Sequence, residues 1–461
     1  MPKKEKYDLI CVGAGPGGSA CAKTAADLGL DVLLVERAEV PGQKNMSGAV
    51  LFTPICTEIY PNFMSAPFMQ SATTLAQIAV KYIIDNDEHE FSIGLSPGSD
   101  CMTGMPVISR PVTDAWMANE AVKAGAEPLY STRVDDVIID RTAEGGPRVI
   151  GIITETGEKI YADAVADCSG VDSVIAKRSG LVPHHHWKKE MIALKLNYKL
   201  DKDEIWKRFQ FWWGKDGRPS CDWGLTPVMY GNDPEFFAAH IAANYHEGIM
   251  EVTVYECLQE MVESRTNIWQ RMDWFTQTCA MYLEGAELVR ANFHPLNCFD
   301  LVGYEAIKSY MPGLVLVGDA GSFANPVESW GANVAQWQGR MFAQLVAGMK
   351  RDNDFSEARF AEYEEKWAND WVGDDLHLVP LNNMFRNGKF DAAMKAVDAM
   401  IVRAVAGKID CESYSQLMPA GVAEMLPHMI DLLPMPPLRD FVKNTYKQAA
   451  PLLEMAAKLK D

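Results

Sequence analysis

Apolar and polar positions alternate with a recognisable rhythm at the start of the chain. Tyr7 to Val12 is an apolar run, the pattern of a strand buried on both faces of a parallel sheet. Ser19 to Leu28 is Ala-rich and predicts a helix, which Gly29 ends. Asp31 to Val35 predicts a second strand, closed by Glu36. Far downstream, Leu314 to Val317 is another buried strand, and a long helix is expected to run to about Met349. Residues 352–461 read as mostly helical. Within them Met418 to Leu438 is rich in Leu, Met and Pro, and Phe441 to Leu459 carries apolar residues at helical spacing with Lys443, Lys447, Lys458 and Lys460 between.

Length and composition narrow the class. The 461 residues are enough for two or three domains, and 48% hydrophobic with 23% charged residues is ordinary globular composition. The formal net charge of -19 repels phosphate backbones and anionic surfaces, so nucleic acid is not an expected partner. The apolar run after the N-terminal lysines is interrupted by glycines, and no stretch reaches the roughly 20 apolar residues of a membrane span. A soluble, cytoplasmic protein is expected. Its 10 cysteines include no CxxC pair, which argues against an iron–sulfur cluster or zinc site held by this chain alone, and no metal is expected.

The strand–helix–strand at the N-terminus frames a glycine motif. Gly13-Ala14-Gly15-Pro16-Gly17-Gly18 supplies GxGxxG through Gly13, Gly15 and Gly18. The first glycine permits the tight turn, the second lets a pyrophosphate approach the backbone, and the third lets helix pack on strand. The helix N-terminus offers free N–H groups and a positive dipole end. Glu36 is placed to accept hydrogen bonds from ribose hydroxyls and disfavours a 2′-phosphate, so FAD or NAD is preferred over NADP.

Leu314 to Val317 leads into Gly318-Asp319-Ala320, followed by Pro326, Gly331 and Asn333. This resembles the second FAD motif of glutathione-reductase-like flavoproteins, in the aromatic-hydroxylase and geranylgeranyl-reductase branch. The resemblance implies FAD as cofactor, with Gly318 and Asp319 at the ribityl chain and Gly331, Ala332 and Asn333 at the flavin N1–C2=O edge. A helix N-terminus there stabilises negative charge on a reduced flavin. Ser329 replaces the family's usual glycine and stands between the bulky Glu328 and Trp330, so the flavin surroundings are expected to differ. Ile108-Ser109-Arg110-Pro111 to Asp114 resembles the family's arginine segment, which puts Arg110 on the cofactor; a surface salt bridge is the alternative. By the same resemblance Arg37, Val134 and Gly170, the last within Asp167-Cys168-Ser169-Gly170, join the cofactor residues.

Gly42-Gln43-Lys44-Asn45-Met46-Ser47-Gly48 looks like the G-x-K-N-x-S-G segment of FixC-type proteins and electron transfer flavoprotein–quinone oxidoreductases. In those relatives the loop passes close to the isoalloxazine ring, which makes Asn45, Ser47 and Gly48 cofactor candidates and Lys44 a catalytic one; a polar loop is the alternative. There is one GxGxxG and no cysteine pair in Pro41 to Gly48, against a disulfide reductase.

The expected fold is therefore α/β: a Rossmann-type FAD-binding domain from residues 1–51, 102–183 and 295–351, an inserted α+β substrate domain from 52–101 and 184–294, and a helical C-terminal extension from 352–461. Phe209, Phe211, Trp212, Trp213, Trp223, Trp269, Trp274 and Phe275 suit an apolar or planar substrate, or simply a core. Cys221, a further catalytic candidate, opens a segment faintly like the geranylgeranyl-reductase signature, with spacing off by a residue. His294 is a candidate proton donor or a structural histidine, and His184-His185-His186 reads as a solvated turn. The tail is expected to lie on a membrane, to bind a partner, or to form a lid on this chain. The expected activity is that of a FixC-like oxidoreductase moving electrons between FAD and a partner carrier, such as a ferredoxin or electron transfer flavoprotein, a quinone, or an apolar organic substrate. The alternatives are an ene-reductase of a prenyl-like substrate, a flavin monooxygenase, and a non-catalytic electron-relay subunit.

Overall fold

The computed structural model describes residues 2, 4–45, 48–70, 72–75, 77–84, 87–94, 106–143, 145–181, 190–213, 219–221, 228–232, 236–297, 308–323 and 331–373. The buried apolar runs fold as expected. Strand Lys6–Val12 lies parallel to Val32–Val35 on one side and to Lys159–Asp167 on the other. Leu314–Leu316 and Glu127–Leu129 extend the parallel set outward. Both faces of Lys6–Val12 are covered, which is why its sequence does not alternate. Leu9 and Cys11 pack with Ala22, Ala25, Val315 and Phe342 on the helical side. Ile10 and Val12 pack with Val137, Ile152, Ile160 and Ile175 on the other.

Helix Pro16–Asp27 starts with proline at its first turn and buries a face of Gly, Ser, Ala and Cys. Those small residues let helix Ala332–Asp352 approach closely: a Cβ on Gly339 would stand 2.3 Å from the Gly17 carbonyl oxygen. Helix Arg110–Ala124 flanks the same helix. Helix Glu357–Ala368 falls within the range expected to extend beyond the dinucleotide fold, yet it is part of this core. Phe360, Tyr363 and Trp367 are buried against Phe342 and Phe323, and the Tyr363 hydroxyl donates to the Leu316 carbonyl at 2.9 Å. Residues 374–461, with the Met418–Leu438 and Phe441–Leu459 segments, lie outside the described residues.

A second sheet runs Glu287–Asn297, Glu190–Lys199, Ile249–Cys257, Phe236–Asn244, Val228–Asn232, Gln77–Ile84, Asp87–Gly94. It is antiparallel apart from the pairing of Val228–Asn232 with Gln77–Ile84. Residues 52–69 do not join it. Phe52, Ile55, Ile59, Tyr60 and Phe63 instead pack with Val107, Ile108 and Met117 beside helix Arg110–Ala124. A small third sheet links Trp212–Trp213, Pro219–Cys221, Thr73–Leu75, Pro106–Ser109 and Gly48–Val50. Among the described residues no helix is long and apolar enough to cross a membrane.

Alternation divides the second sheet into two unlike faces. Leu194, Leu196, Ile241, Val252 and Val254 point one way, into a core closed by Phe209, Phe211, Met272 and Phe275. Lys195, His240, Glu251, Thr253 and His294 occupy the opposite positions. Ala242, on that second face, packs in the cluster of Leu51 and Val107. The polar face is thus the one turned toward the dinucleotide-binding half.

Candidate functional site

The site begins at the turn after the first strand. Gly13 has φ +100°, and a Cβ there would lie 2.4 Å from the Cys168 carbonyl oxygen. A Cβ on Gly18 would lie 1.8 Å from the Gly13 carbonyl oxygen, so the turn closes only with hydrogen at that position. Gly15 is the opposite case: nothing stands within 4 Å of where its Cβ would be. Pro16 and Gly17 form the first turn of the helix. That turn has no side-chain cap and no acidic residue, so its N–H groups and positive dipole end face the space over Gly15. The donor set and the open glycine fit a diphosphate.

Glu36 closes the cradle from the end of the second strand. Its carboxylate accepts from the Ala14 amide at 2.9 Å and from the Ala38 amide at 2.8 Å, which fixes it at the lip of the loop. The segment leading to Val134 runs alongside: the Thr132 amide donates to the Glu36 carbonyl and the Ser131 amide to the Ala38 carbonyl, both at 3.0 Å. Val134 itself is buried at the start of strand Val134–Asp140. Arg37 reaches across to Asp172 at 2.7 Å, in the turn Gly170–Asp172, and both side chains are half exposed. Gly170, at φ +75°, has open space beside it.

A second group forms around Arg110. Its guanidinium makes a fork on Asp114, at 2.7 and 2.8 Å, and Asp114 also accepts from the Asn45 carboxamide at 2.6 Å. Asp114 has no exposed side-chain surface. Burial works against the Arg110 charge, but Asp114 outweighs it and raises the guanidinium above its ordinary range. The loop that carries Lys44 and Asn45 is thereby tied to the helix that carries Arg110, and Asn45 acts as the tie. Lys44 is exposed on the preceding turn. Ser47 lies outside the described residues, as do Glu328, Ser329 and Trp330, and Gly48 begins a strand paired with Ser109.

Gly318 and Asp319 open the turn Gly318–Gly321 after strand Leu314–Leu316. The Gly318 amide donates to the Gln338 side chain at 2.8 Å. Burial raises the Asp319 carboxyl above the usual carboxylate range, and Arg110 opposes the rise. Gly331 precedes helix Ala332–Asp352, whose first turn carries neither a side-chain cap nor an acid. Asn333 is buried, and its carboxamide bonds the Phe52 amide and carbonyl at 2.9 and 3.3 Å and Gln336 at 3.1 Å. Its side chain thus holds the 52 region to the helix instead of facing outward.

Strand Glu287–Asn297 packs against both turns, Gly170–Asp172 and Gly318–Gly321, and carries His294 there. Burial, then Lys195 and Arg110, lower the His294 imidazole from 6.5 to about 4, so at neutral pH it is uncharged. Burial and Lys195 lower His240 to about 3. Cys221 ends a short strand whose side chains lie outside the described set, as do His184 to His186 and Trp223.

The sequence reading missed Lys195, Glu251 and His240. Their signal is a charged or polar residue at alternate positions of three apolar strands, and it converges only through register. For the aromatic residues expected at a substrate or in a core, the described ones favour the core or the surface. Phe209, Phe211 and Phe275 fill the core behind the sheet, while Trp213 and Trp269 are exposed on the outside.

Comparison with known proteins agrees with this geometry. The family model described as FAD dependent oxidoreductase matches residues 8–287. The chain is 26% identical over 386 residues to Protein FixC of Azotobacter vinelandii, covering 81% of this chain and 83% of that protein. It is 34% identical over 208 residues to a probable electron transfer flavoprotein-quinone oxidoreductase of Escherichia coli (strain K12), covering 45% and 46%. The crystal structure of a geranylgeranyl bacteriochlorophyll reductase-like protein from Thermoplasma acidophilum superposes with a TM-score of 0.67 at 18% identity, over 93% of this chain and 100% of that one.

Proposed function

The chain belongs to the FAD dependent oxidoreductase family, and from that premise we propose that it passes electrons between bound FAD and a separate acceptor or donor. That second party is a ferredoxin- or electron transfer flavoprotein-type carrier, a quinone, or a small organic molecule. The observation that carries this reading is the likeness to FixC along four fifths of the chain. With no CxxC pair in the sequence, a cluster on this pathway belongs to a partner. Residues 1–51, 102–183 and 295–351 are read as the FAD-binding part, joined by helix Glu357–Ala368, and the second sheet as the face for the other reactant.

FAD supplies the redox chemistry when bound. The chain's part is to hold and orient. The amides at Gly15, Gly17 and Gly18 receive the diphosphate, and Glu36 receives the adenosine ribose. Asp319, beside Arg110, holds the ribityl hydroxyls. The uncapped start of helix Ala332–Asp352 presents about half a positive charge to the flavin edge, where reduction places negative charge. The sheet above excludes water.

Anaerobic visible spectroscopy tests this. The purified, FAD-supplemented protein is expected to show bound-flavin bands that NADH and NADPH leave unmoved. After reduction with dithionite, a soluble quinone analogue or an electron transfer flavoprotein is expected to restore the oxidised bands. Absence of bound flavin would sink the cofactor reading. Bleaching by a nicotinamide, with oxygen-dependent hydroxylation of an added substrate, would replace electron transfer by monooxygenation.

A further inference from the structure

On the polar face of the second sheet, Lys195 stands in the middle strand of three, opposite Thr253 on one side and Asn292 on the other. Its side chain is 12% exposed, so the ammonium is sheltered but reachable. An ammonium has three hydrogens to donate. Among the described residues Lys195 donates one hydrogen bond, to Glu251 at 3.5 Å, the outer limit of such a bond. The same Glu251 oxygen also accepts from the Thr253 hydroxyl at 3.3 Å. Arg110, a second sheltered cation nearby, is already paired with a carboxylate through its two-bond fork on Asp114. Asn197, two positions along the same face, has a buried carbonyl oxygen with no partner among the described residues.

The charge state matches this geometry. Burial works against the Lys195 charge, but Glu251 and Tyr255 outweigh it and hold the ammonium above its ordinary range. The flanking His240 and His294 imidazoles are neutral at pH 7. A sheltered ammonium that uses one of its three hydrogens on the described residues is costly to maintain unless a further acceptor completes its shell. Its face is the one turned toward the dinucleotide half, where strand Glu287–Asn297 meets the turns at Gly170 and Gly318.

We propose that Lys195 is a substrate-binding residue, and that the molecule exchanging electrons with the flavin carries a carboxylate received by the Lys195 ammonium. The inference rests on the flavin reading above and names its substrate class. The carboxylate supplies the two acceptors that Glu251 does not, while the Asn197 carbonyl offers an acceptor to a hydroxyl or amine on the same molecule. Glu251 competes with the guest for Lys195, so the two residues have opposite effects on binding.

The test is a spectral titration of the FAD-loaded protein with carboxylates from acetate through benzoate to palmitate, each beside its neutral amide. At least one acid is expected to perturb the flavin bands saturably, and its amide is not. Lys195→Met is expected to weaken that binding at least tenfold with the flavin still bound, Lys195→Arg to retain it, and Glu251→Gln to tighten it severalfold. A role confined to an ion pair between the two strands predicts the same direction for Lys195→Met and Glu251→Gln, and that result overturns the proposal. It also falls if no acid perturbs the bands, or if acid and amide bind alike. Loss of flavin from the unmodified protein would instead refute the cofactor reading, which separates the two failures.

Discussion

In the cradle at residues 13–18 the surface offered to a ligand is main chain, whereas on the sheet face at Lys195, His240, Glu251 and His294, the proposed face for the other reactant, it is side chain. The cradle is contiguous in sequence and tolerates no Cβ at Gly13 or Gly18. The sheet face is assembled from four strands between residues 190 and 297. Backbone recognition is stiff and fails at once when a single atom is added. Side-chain recognition is adjustable and sets what is bound rather than whether the fold closes.

The largest effect is expected where the main chain has no slack. Gly18→Val places carbon atoms where the Gly13 carbonyl oxygen stands. Complete loss of bound flavin is expected, read as the ratio of visible to protein absorbance, and a variant that retains FAD would show that the cradle is not the diphosphate site.

Next in size is the tie between the loop at Asn45 and the helix at Arg110. Arg110→Met leaves the fully buried Asp114 carboxylate without its fork. Removing one partner of such a pair costs roughly 3–5 kcal/mol. Chemical denaturation is expected to show that loss. A stability within about 1 kcal/mol of the parent would mean that the pair is not a tie.

Glu36→Gln sharpens the contrast from the cradle side. The amide retains an acceptor for one of the two backbone N–H groups but loses charge-assisted bonding to them and to a ribose, worth about 1.5–3 kcal/mol. FAD affinity is expected to fall by roughly 10- to 100-fold with the fold intact by circular dichroism. Unchanged affinity would remove Glu36 from the site.

The smallest effect belongs to the sheet face. Because the His294 imidazole titrates near 4 in the folded chain rather than at 6.5, the unfolded chain takes up the extra proton first. Stability is therefore full above pH 7 and falls as pH drops through 6.5 toward 4. At pH 5.5 the loss from this residue is about 1 kcal/mol, and His294→Gln is expected to flatten that part of the stability profile. An identical acid limb in both proteins would mean that the imidazole is not held neutral.

Legibility in sequence followed the same division. The elements Lys6–Val12, Pro16–Asp27, Val32–Val35 and Ala332–Asp352 fall within a few residues of where the apolar runs and glycines put them. Asn333 was legible as a position but not as a contact, because its carboxamide turns inward to Phe52 instead of outward. The aromatic cluster at 209–275 was visible as composition, yet only strand alternation and packing put it behind the sheet, away from the flavin half.

What the sequence alone determined is the dinucleotide cradle and its parallel sheet. There the chemistry is local: a glycine at each point of close approach, a helix start, and an acid at the end of the next strand. What only the tertiary structure decided is the other wall of the site. Lys195, Glu251, His240 and His294 become neighbours through strand register, and one residue of slip would turn each of them to the opposite face.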